Sequence, residues 1–564
     1  MERDFHNYRG STGKAGASWE LASFRTGALL FACAAVVAGC GGSDDQPSAA
    51  PAVGVAPPQQ PPPAPPTQTV QARCAMDTSV AASYEEQRLV NKLNASDAQS
   101  FSQRLLQASG FDKFGPEFAL KLCKDGMAGA SSHDEAVTLI KAEGQKLWQA
   151  AVDRVQGRKV EGTLPKSDDR MLYWARLTMT HALRQWKPDF ALSDEQRAAL
   201  HKEFERASRG QYAIDFPDGA GHKRILVSGF DPFTLGAPGF DGNPNIRIGN
   251  PSGATILSLD GHTVALADGT TAVIRTFVLP VNYGPFMDGM QEDTLGPWFK
   301  PGAKRVDASI TVSQGGGSFA LEHFNSRYHY VAPGNDNISP SCAGGYPAAD
   351  DCDIHPPQRW LGYASKPWKK DMPPQFTQAS LPFQKMIDAN TGADIVNPGT
   401  GKKGGWSVAR NDNYSMIACT KAAADLQGPY EAARLAAENA LAAWRDAGYP
   451  FPGPLYEQYE AANAARSSVP APAPTELNCA LQGGGGTYLS NASAYRNTLM
   501  RDLFGLSIPA GHIHTPAMTQ FGSGSNDLIT DATFEARRDA IVAQTRNLVA
   551  AVANSLAAPG PTSP

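Results

Sequence analysis

The sequence predicts an α/β layered domain preceded by a helical region, and two observations lead to this fold class. Short apolar runs typical of buried strands occur at residues 225–229, 272–279 and 307–312. Helical patterns occur in the first part of the chain, from about residue 75 to 215, and again at 429–447 and 534–556. Strands that alternate with helices indicate helices packed on a sheet.

Composition limits the classes of protein that this chain can be. Hydrophobic residues make up 42% of the 564 positions, which excludes wholesale disorder. The chain carries 50 basic and 55 acidic residues, a net charge of -5, so it lacks the broad basic surface of a nucleic-acid-binding protein. We therefore expect no nucleic acid as a partner, and the sequence does not indicate an oligomeric state.

The N-terminal segment is typical of an export signal. Arg25 precedes an apolar run over residues 28–37, which is too short to span a bilayer but fits a signal peptide over residues 1–39. The residues Val37-Ala38-Gly39-Cys40 resemble a bacterial lipobox, in which Cys40 would be lipidated; the alternative is a plain signal peptide with a chance cysteine. Residues 40–72 would then form a lipidated, proline-rich tether. We expect an exported, membrane-anchored lipoprotein, periplasmic or at the outer membrane or cell surface.

The other cysteines fit an oxidising compartment. Six remain after Cys33 and Cys40 are set aside: Cys74, Cys123, Cys342, Cys352, Cys419 and Cys479. An even number in an exported protein predicts disulfides, and pairing of sequence neighbours (74–123, 342–352, 419–479) is the simplest of the many possible arrangements. Zinc is the alternative, but the chain contains no Cys-x-x-Cys.

Residues 73–221 read as a helical region of unknown role. One helix there is well marked, with Ser193 as its N-cap, Gln196 three residues later and Gly210 as its stop. A second is expected over 170–186. We find no chemistry in this region and interpret it as a packing or interaction region. Farther along, residues 338–480 are rich in Gly, Pro and Asn and are predicted to form insertions at the surface.

Several motifs in the second part of the chain carry a family resemblance. They are, in order, Ile225-Leu226-Val227-Ser228-Gly229-Phe230-Asp231-Pro232-Phe233, Asn250-Pro251-Ser252, Leu279-Pro280-Val281-Asn282-Tyr283, Ser313-Gln314-Gly315-Gly316-Gly317, Glu322, Asp336-Asn337, Ser380-Leu381-Pro382, Gly486-Thr487-Tyr488-Leu489-Ser490-Asn491 and Ile513-His514-Thr515-Pro516. Together they resemble the pyroglutamyl peptidase I (pyrrolidone-carboxylate peptidase) family. The spacing of 24 residues between Ser490 and His514 also matches the family.

This resemblance implies both a fold and an activity. The fold is a three-layer α/β/α sandwich of the phosphorylase/hydrolase type over residues 222–558, with large insertions. The activity is removal of N-terminal pyroglutamate from peptides by acyl transfer, without a cofactor or a metal. The resemblance assigns catalysis to Glu322, Ser490 and His514, and binding of the pyrrolidone ring to Phe230, Phe233 and Gln314.

One departure from the family concerns the nucleophile, which is Ser490 here and cysteine in the family. A thiol, with a pKa of about 8.5, becomes a thiolate readily beside a histidine, whereas a serine hydroxyl must lose its proton during attack. A Glu–His pair can serve that purpose, as in serine hydrolases. The alternatives are therefore a working Ser490-His514-Glu322 hydrolase, with a different amide or ester as a further candidate substrate, and a protein that binds pyroglutamyl peptides, or serves as a scaffold, with little turnover.

Other patterns carry less weight. The family also places an arginine shortly before its Asp-Asn motif, where this chain has Arg327 in a different register. The pair His512 and His514 could bind a metal, but the family match makes His514 catalytic. Acidic and amide clusters at Asp350, Asp351 and Asp353 and at Asn411-Asp412-Asn413 lack the full calcium-loop pattern, so we predict solvated turns.

Overall fold

The computed structural model describes residues 73–329, 332–339, 373–418 and 421–557, and the side chains of 421–427 are excluded from that description. Contacts group the chain from Ala72 onward into one compact unit. The predicted signal peptide, Cys40 and the tether lie outside the described residues, as do Cys342, Cys352 and Cys419. Within the described ranges, no helix is long and apolar enough to cross a membrane.

The N-terminal region is helical, as the sequence predicts. In chain order its elements are β1 Ala75–Met76, a 3-10 helix Glu86–Val90, α1 Phe101–Ser109, α2 Phe114–Leu122, β2 Cys123–Lys124, β3 Met127–Ala128, α3 His133–Val155, α4 Arg170–Gln185, β4 Trp186–Lys187 and α5 Asp194–Ser208. The structure joins Cys74 and Cys123 in a disulfide, the pairing of sequence neighbours expected above. Cys479 is also disulfide-bonded.

The predicted start of α5 is confirmed in atomic detail. The Ser193 hydroxyl accepts the backbone N–H of Gln196 at 3.2 Å, and the Gln196 side chain accepts the N–H of Ser193 at 3.0 Å. This reciprocal capping box satisfies two of the N–H groups that a helix start leaves free. The helix ends at Ser208, and Gly210 takes the left-handed conformation (φ 78°) that turns the chain away.

The second part of the chain alternates strands and helices. Its first elements are β5 His222–Phe230, α6 Pro251–Leu259, β6 Thr263–Ala265, β7 Thr271–Leu279, α7 Tyr283–Met287, α8 Met290–Phe299, β8 Ala308–Gln314, β9 Phe319–Glu322 and β10 Phe324–Ser326. Those that follow are β11 Phe376–Gln378, α9 Phe383–Asp388, β12 Val396–Asn397, β13 Lys402–Lys403, β14 Val408–Asn411, β15 Ser415–Ala418, α10 Lys421–Asp446, α11 Pro454–Ser468, β16 Asn478–Gln482, α12 Leu489–Leu503, β17 Ala510–Thr515 and α13 Ala532–Ser555.

A mixed seven-stranded sheet forms the centre of this part, in the order β14-β9-β17-β8-β5-β7-β6. Strand β5 runs parallel to β7 and β8, and β17 runs parallel to β8. Strand β9 is antiparallel to β17 and parallel to β14, while β6 is antiparallel to β7. The strands β9 and β17 therefore lie side by side, although β9 ends at Glu322 and β17 begins only at Ala510.

Helices cover both faces of the sheet. Ile225 on β5 belongs to one apolar cluster with Ile256 of α6 and Ile541 of α13. The next residue, Leu226, belongs to a second cluster with Leu295 of α8 and with α12. Successive side chains of a strand point to opposite faces, so the two clusters are the two sides of the sheet. The predicted three-layer α/β/α arrangement is confirmed.

The segment predicted as surface insertions is only partly separate from the sheet. Helices α10 and α11 pack on each other, and none of the residues of α11 is buried. Helix α10 is interrupted at Gly428 (φ 49°), and its second part begins at Pro429, where the sequence predicts a helix start. Strand β14, from the same segment, instead extends the main sheet beside β9. Sequence patterns do not mark this strand, because Val408–Asn411 has no apolar run.

Candidate active site

Glu322 and His514 lie in direct contact at the end of strands β9 and β17. The Nδ1 atom of His514 is 2.6 Å from Oε1 of Glu322. In the antiparallel register Glu322 lies opposite His512, and His514 is its diagonal neighbour on the same face. The Glu322 side chain is fully buried and that of His514 is 13% exposed. When Nδ1–H of His514 donates to the Glu322 carboxylate, Nε2 of the same ring remains as an acceptor for a third group.

Two glycines allow this close arrangement. A Cβ on Gly315 would lie 2.8 Å from Cβ and Cγ of His514, which is closer than real Cβ atoms approach other atoms. A Cβ on Gly484 would overlap Oε2 of Glu322. Gly315 belongs to the Gly-rich motif after β8, and Gly484 to the loop before Ser490. One glycine of each motif, Gly315 and Gly484, therefore leaves the space that the Glu322–His514 pair occupies.

Ser490 is the second residue of α12 and is half-buried. A tight turn precedes the helix, in which the N–H of Gly486 donates to the carbonyl of Gly483 at 3.0 Å. The first N–H groups of a helix have no partner inside it, so the start of α12 offers donors for an anion. Within the described ranges the Ser490 hydroxyl has no hydrogen bond.

Asn491 fixes this helix start to the chain that follows Glu322. Its Oδ1 accepts the N–H of Ser326 at 2.9 Å, and its Nδ2 donates to the carbonyls of Ser326 at 2.8 Å and Tyr328 at 3.2 Å. Ser326 lies on β10, four residues after Glu322. The residue next to Ser490 is thus held to the backbone close to the carboxylate.

The three residues expected to bind the pyrrolidone ring differ in their surroundings. Phe230 is buried and stacks on Phe286, with ring centroids 6.2 Å apart. Phe233 is half-buried at the edge of the same apolar cluster. The Oε1 atom of Gln314 accepts the N–H of Met518 at 2.9 Å, which fixes the orientation of its amide.

His512 lies beside His514 but has its own partners. Its Nδ1 is 2.7 Å from the Thr311 hydroxyl and its Nε2 is 2.8 Å from the Ser313 hydroxyl. The ring is completely buried and meets the His514 ring edge-on at a centroid distance of 4.8 Å. Burial, and then the nearby His514, lower the pKa of His512 well below its usual value. His512 is therefore neutral at physiological pH, and both of its nitrogens are engaged by hydroxyls.

Asn411 is a site residue that the sequence analysis missed. Its Nδ2 donates to Oε2 of Glu322 at 2.7 Å and also to the carbonyl of Gly484 at 3.1 Å. The sequence predicts a solvated turn in a surface insertion at this position. No motif marks it, because the contact arises only when β14 pairs with β9. Arg327, the nearest candidate for the family's arginine, instead donates to the carbonyl of Pro373 at 3.0 Å.

The helical N-terminal region also supports the motif positions. Asp231, which follows Phe230, pairs with Arg176 of α4 at 2.7 Å. Asn282 donates to the carboxyl group of Glu85 at 2.8 Å. Burial raises the pKa of Glu85. The helical N-terminal region, for which the sequence indicates no chemistry, thus contacts and stabilises the segments that follow β5 and β7.

Comparison with known proteins gives two family matches and one curated relative. Residues 224–440 and 454–519 match the profile described as PA0049, C-terminal domain, and residues 65–205 match that of the PA0049 N-terminal domain. The relative is "Uncharacterized protein PA0049" of Pseudomonas aeruginosa (strain PAO1). It is 43% identical over an alignment of 537 positions, and the alignment covers 86% of this chain and 91% of the relative.

Among solved structures, the chain is similar to the pyrrolidone carboxyl peptidase of the hyperthermophile Pyrococcus furiosus. A point mutant of that enzyme matches at 15% identity and a TM-score of 0.29, covering 59% of this chain and 99% of that one. The structures of the same enzyme with its Cys-free mutant match at 15% identity and a TM-score of 0.28, with 58% and 98% coverage.

Proposed function

This chain belongs to the PA0049 family, and we propose that it is a hydrolase that removes N-terminal pyroglutamate from peptides with Ser490, His514 and Glu322. The observation that carries the proposal is the contact of 2.6 Å between His514 and the buried Glu322. An imidazole oriented by a buried carboxylate is the base that a serine nucleophile needs. The start of α12, where Ser490 lies, supplies backbone N–H groups for the oxyanion.

The proposed reaction has two acyl-transfer steps. His514 Nε2 takes the hydroxyl proton as Ser490 Oγ attacks the carbonyl carbon of pyroglutamate. The N–H groups at the start of α12 stabilise the oxyanion, and Glu322 stabilises the imidazolium. His514 then returns the proton to the departing peptide amine, and water activated by His514 hydrolyses the ester to free Ser490. The flat lactam ring would bind in a pocket that is lined on one side by Phe230, Phe233 and Gln314.

The first experiment measures release of a fluorophore from pyroglutamyl-aminomethylcoumarin by the purified exported form of the chain. We expect turnover that is lost in Ser490→Ala and in His514→Ala, while both variants keep the wild-type melting temperature. Release by Ser490→Ala at the wild-type rate, or no release by folded wild type, would overturn the proposed activity.

A second candidate function is binding of pyroglutamyl peptides without turnover. The observation that favours it is the Ser490 hydroxyl, which makes no hydrogen bond to any described residue, whereas an activated nucleophile contacts its base. This function predicts that a non-hydrolysed pyroglutamyl peptide raises the melting temperature although no product forms. Ser490→Cys separates the two candidates, because gain of turnover in that variant would mean that only the serine limits the reaction.

We also propose that the chain is exported and anchored through a lipid on Cys40, on the lipobox resemblance alone. Labelling of cells with an alkyne fatty acid is expected to mark the wild-type chain and to leave Cys40→Ser unlabelled. A labelled Cys40→Ser chain, or an unlabelled wild-type chain that is found outside the cytoplasm, would contradict the anchor.

A further inference from the structure

The two oxygens of the Glu322 carboxylate have separate partners. Oε1 meets His514 at 2.6 Å, and Oε2 accepts the amide of Asn411 at 2.7 Å. Asn411 is the last residue of β14 and lies opposite Glu322 in the parallel pairing of β14 with β9. The Glu322 side chain is fully buried, so these two contacts take the place of water at the carboxylate.

The orientation of the Asn411 amide follows from its other contacts. Its Oδ1 accepts the backbone N–H of Asn413 at 2.9 Å, so the oxygen end is already used. The NH2 end then points to two acceptors, Oε2 of Glu322 and the carbonyl of Gly484 at 3.1 Å. Because both of these groups only accept hydrogen bonds, the reversed amide would leave them without a donor.

We propose that Asn411 is a positioning residue of this site, an inference that rests on the hydrolase function proposed above. Its amide holds the Glu322 carboxylate in the rotation that directs Oε1 to Nδ1 of His514. The same amide joins that carboxylate to Gly484, in the loop that leads to Ser490. Asn411 thereby couples the orienting carboxylate to the nucleophile loop without touching the substrate.

The segment that carries Asn411 lies outside every motif of the family resemblance. Strand β14 falls between the Ser380-Leu381-Pro382 motif and the glycine loop before Ser490. The neighbouring Asp412 has partners of its own, with Nδ1 of His323 at 2.6 Å and Nε of Arg410 at 2.8 Å. The turn therefore presents the neutral amide donor of Asn411 to Glu322, while the carboxylate of Asp412 contacts His323 and Arg410 instead.

The test compares Asn411→Asp with Asn413→Asp in the full exported chain. Each substitution adds one carboxylate to the same turn, but only the first removes the donor from Glu322. With the pyroglutamyl-coumarin substrate, we expect Asn411→Asp to lower kcat by about a hundredfold and to leave KM within about twofold, since misplacement of the base acts on the chemical step. Asn413→Asp is expected to keep the wild-type kcat.

A second readout does not depend on turnover. The Nδ1–H proton of His514, assigned by its loss in His514→Ala, is expected as a downfield proton resonance because it lies in a short, charge-assisted hydrogen bond. It should move upfield in Asn411→Asp and in Asn411→Ala and stay in place in Asn413→Asp. Asn411→Ala serves if the aspartate variant does not fold.

The two readouts separate this inference from the proposed function. If the wild type shows no turnover but the resonance moves only in the Asn411 variants, the hydrolase proposal fails and the positioning role stands. The positioning role is overturned if a folded Asn411 variant, either Asn411→Asp or Asn411→Ala, keeps the wild-type resonance position. Where the wild type shows turnover, the variant must also keep the wild-type kcat for this conclusion. Loss of folding in both Asn411 variants, with Asn413→Asp intact, would also overturn it and make Asn411 a purely structural residue.

Discussion

Arg176 and Asp231 form a buried ion pair, with Nη2 of the arginine 2.7 Å from Oδ2 of the aspartate. Their side chains are 1% and 4% exposed. Arg176 lies on α4 of the helical N-terminal region, and Asp231 lies directly after β5, between Phe230 and Phe233. Arg209 also contacts the Asp231 carboxylate. The ends of the sheet that carry the proposed pocket are therefore held by a region that the family resemblance does not cover.

We predict that Asp231→Asn lowers the free energy of unfolding by about 3 kcal/mol, because the buried guanidinium groups of Arg176 and Arg209 are then left to share the Glu205 carboxylate. The control is Asp288→Asn, which removes the partner of Lys202 in a pair whose side chains are 60% and 52% exposed. Such an exposed pair contributes about 0–1 kcal/mol. Urea unfolding measures both, and equal losses in the two variants would contradict the structural role of the buried pair.

A second prediction concerns Glu322→Gln. The carboxylate accepts from His514 on one oxygen and from Asn411 on the other, whereas an amide has one oxygen and can satisfy only one of these donors. The substitution also removes the negative charge that stabilises the imidazolium form of His514. We expect kcat for the pyroglutamyl substrate to fall by about 10²–10⁴-fold with little change in KM. The matched control, Glu457→Gln on the exposed face of α11, should keep wild-type kinetics; an active Glu322→Gln enzyme would exclude Glu322 from the mechanism.

Much of the fold and part of the site could be predicted from the sequence, for identifiable reasons. The apolar run at 225–229 predicts β5, and the strand is longer, His222–Phe230, because backbone pairing with β7 continues through polar residues. The juxtaposition of Glu322 and His514 follows from motifs that a family resemblance places together. Hydrophobic periodicity alone could not have predicted this contact, because the two residues are 192 positions apart in the chain.

The contacts made by Asn411 and Arg176 could not be predicted in the same way. Both residues belong to segments without a matching family motif. The helical pattern around Arg176 and the polar cluster around Asn411 predict local structure, but they do not indicate which residue each side chain contacts. Asn411 reaches Glu322 only because a short strand with no apolar run joins the sheet edge. Arg176 reaches Asp231 because α4 packs beside the end of β5. Such contacts depend on tertiary packing, which local sequence does not encode.

A third prediction uses two neighbouring glycines. A Cβ at Gly315 would lie 2.8 Å from Cβ and Cγ of His514, whereas a Cβ at Gly316 would meet no atom within 4 Å. Gly315→Ala should therefore displace the imidazole and lower kcat by about a hundredfold, while Gly316→Ala leaves it unchanged. Steady-state kinetics on both variants measures this difference. Equal kinetics in the two variants would show that His514 accommodates the methyl group without loss.

The last prediction is a pH dependence of stability that arises from His512. Burial, and then His514, hold the pKa of His512 well below its usual value in the folded chain, whereas the unfolded chain has the ordinary value of about 6.5. Below pH 6.5 the unfolded state therefore binds a proton that the folded state does not. The contribution of His512 to stability is present above that pH and falls by about 1.4 kcal/mol for each further pH unit.

Urea unfolding of the wild type and of His512→Gln at pH 7.5 and 5.5 tests this dependence. Glutamine does not titrate, so we expect the variant to lose less stability than the wild type between the two pH values, by up to about 1.4 kcal/mol. The control is Thr311→Val, which removes one hydroxyl partner of His512 but leaves the imidazole buried. It should be less stable at both pH values and keep the wild-type difference between them. If His512→Gln also keeps that difference, the acid sensitivity of the fold has its origin in other groups, and His512 does not take up a proton on unfolding.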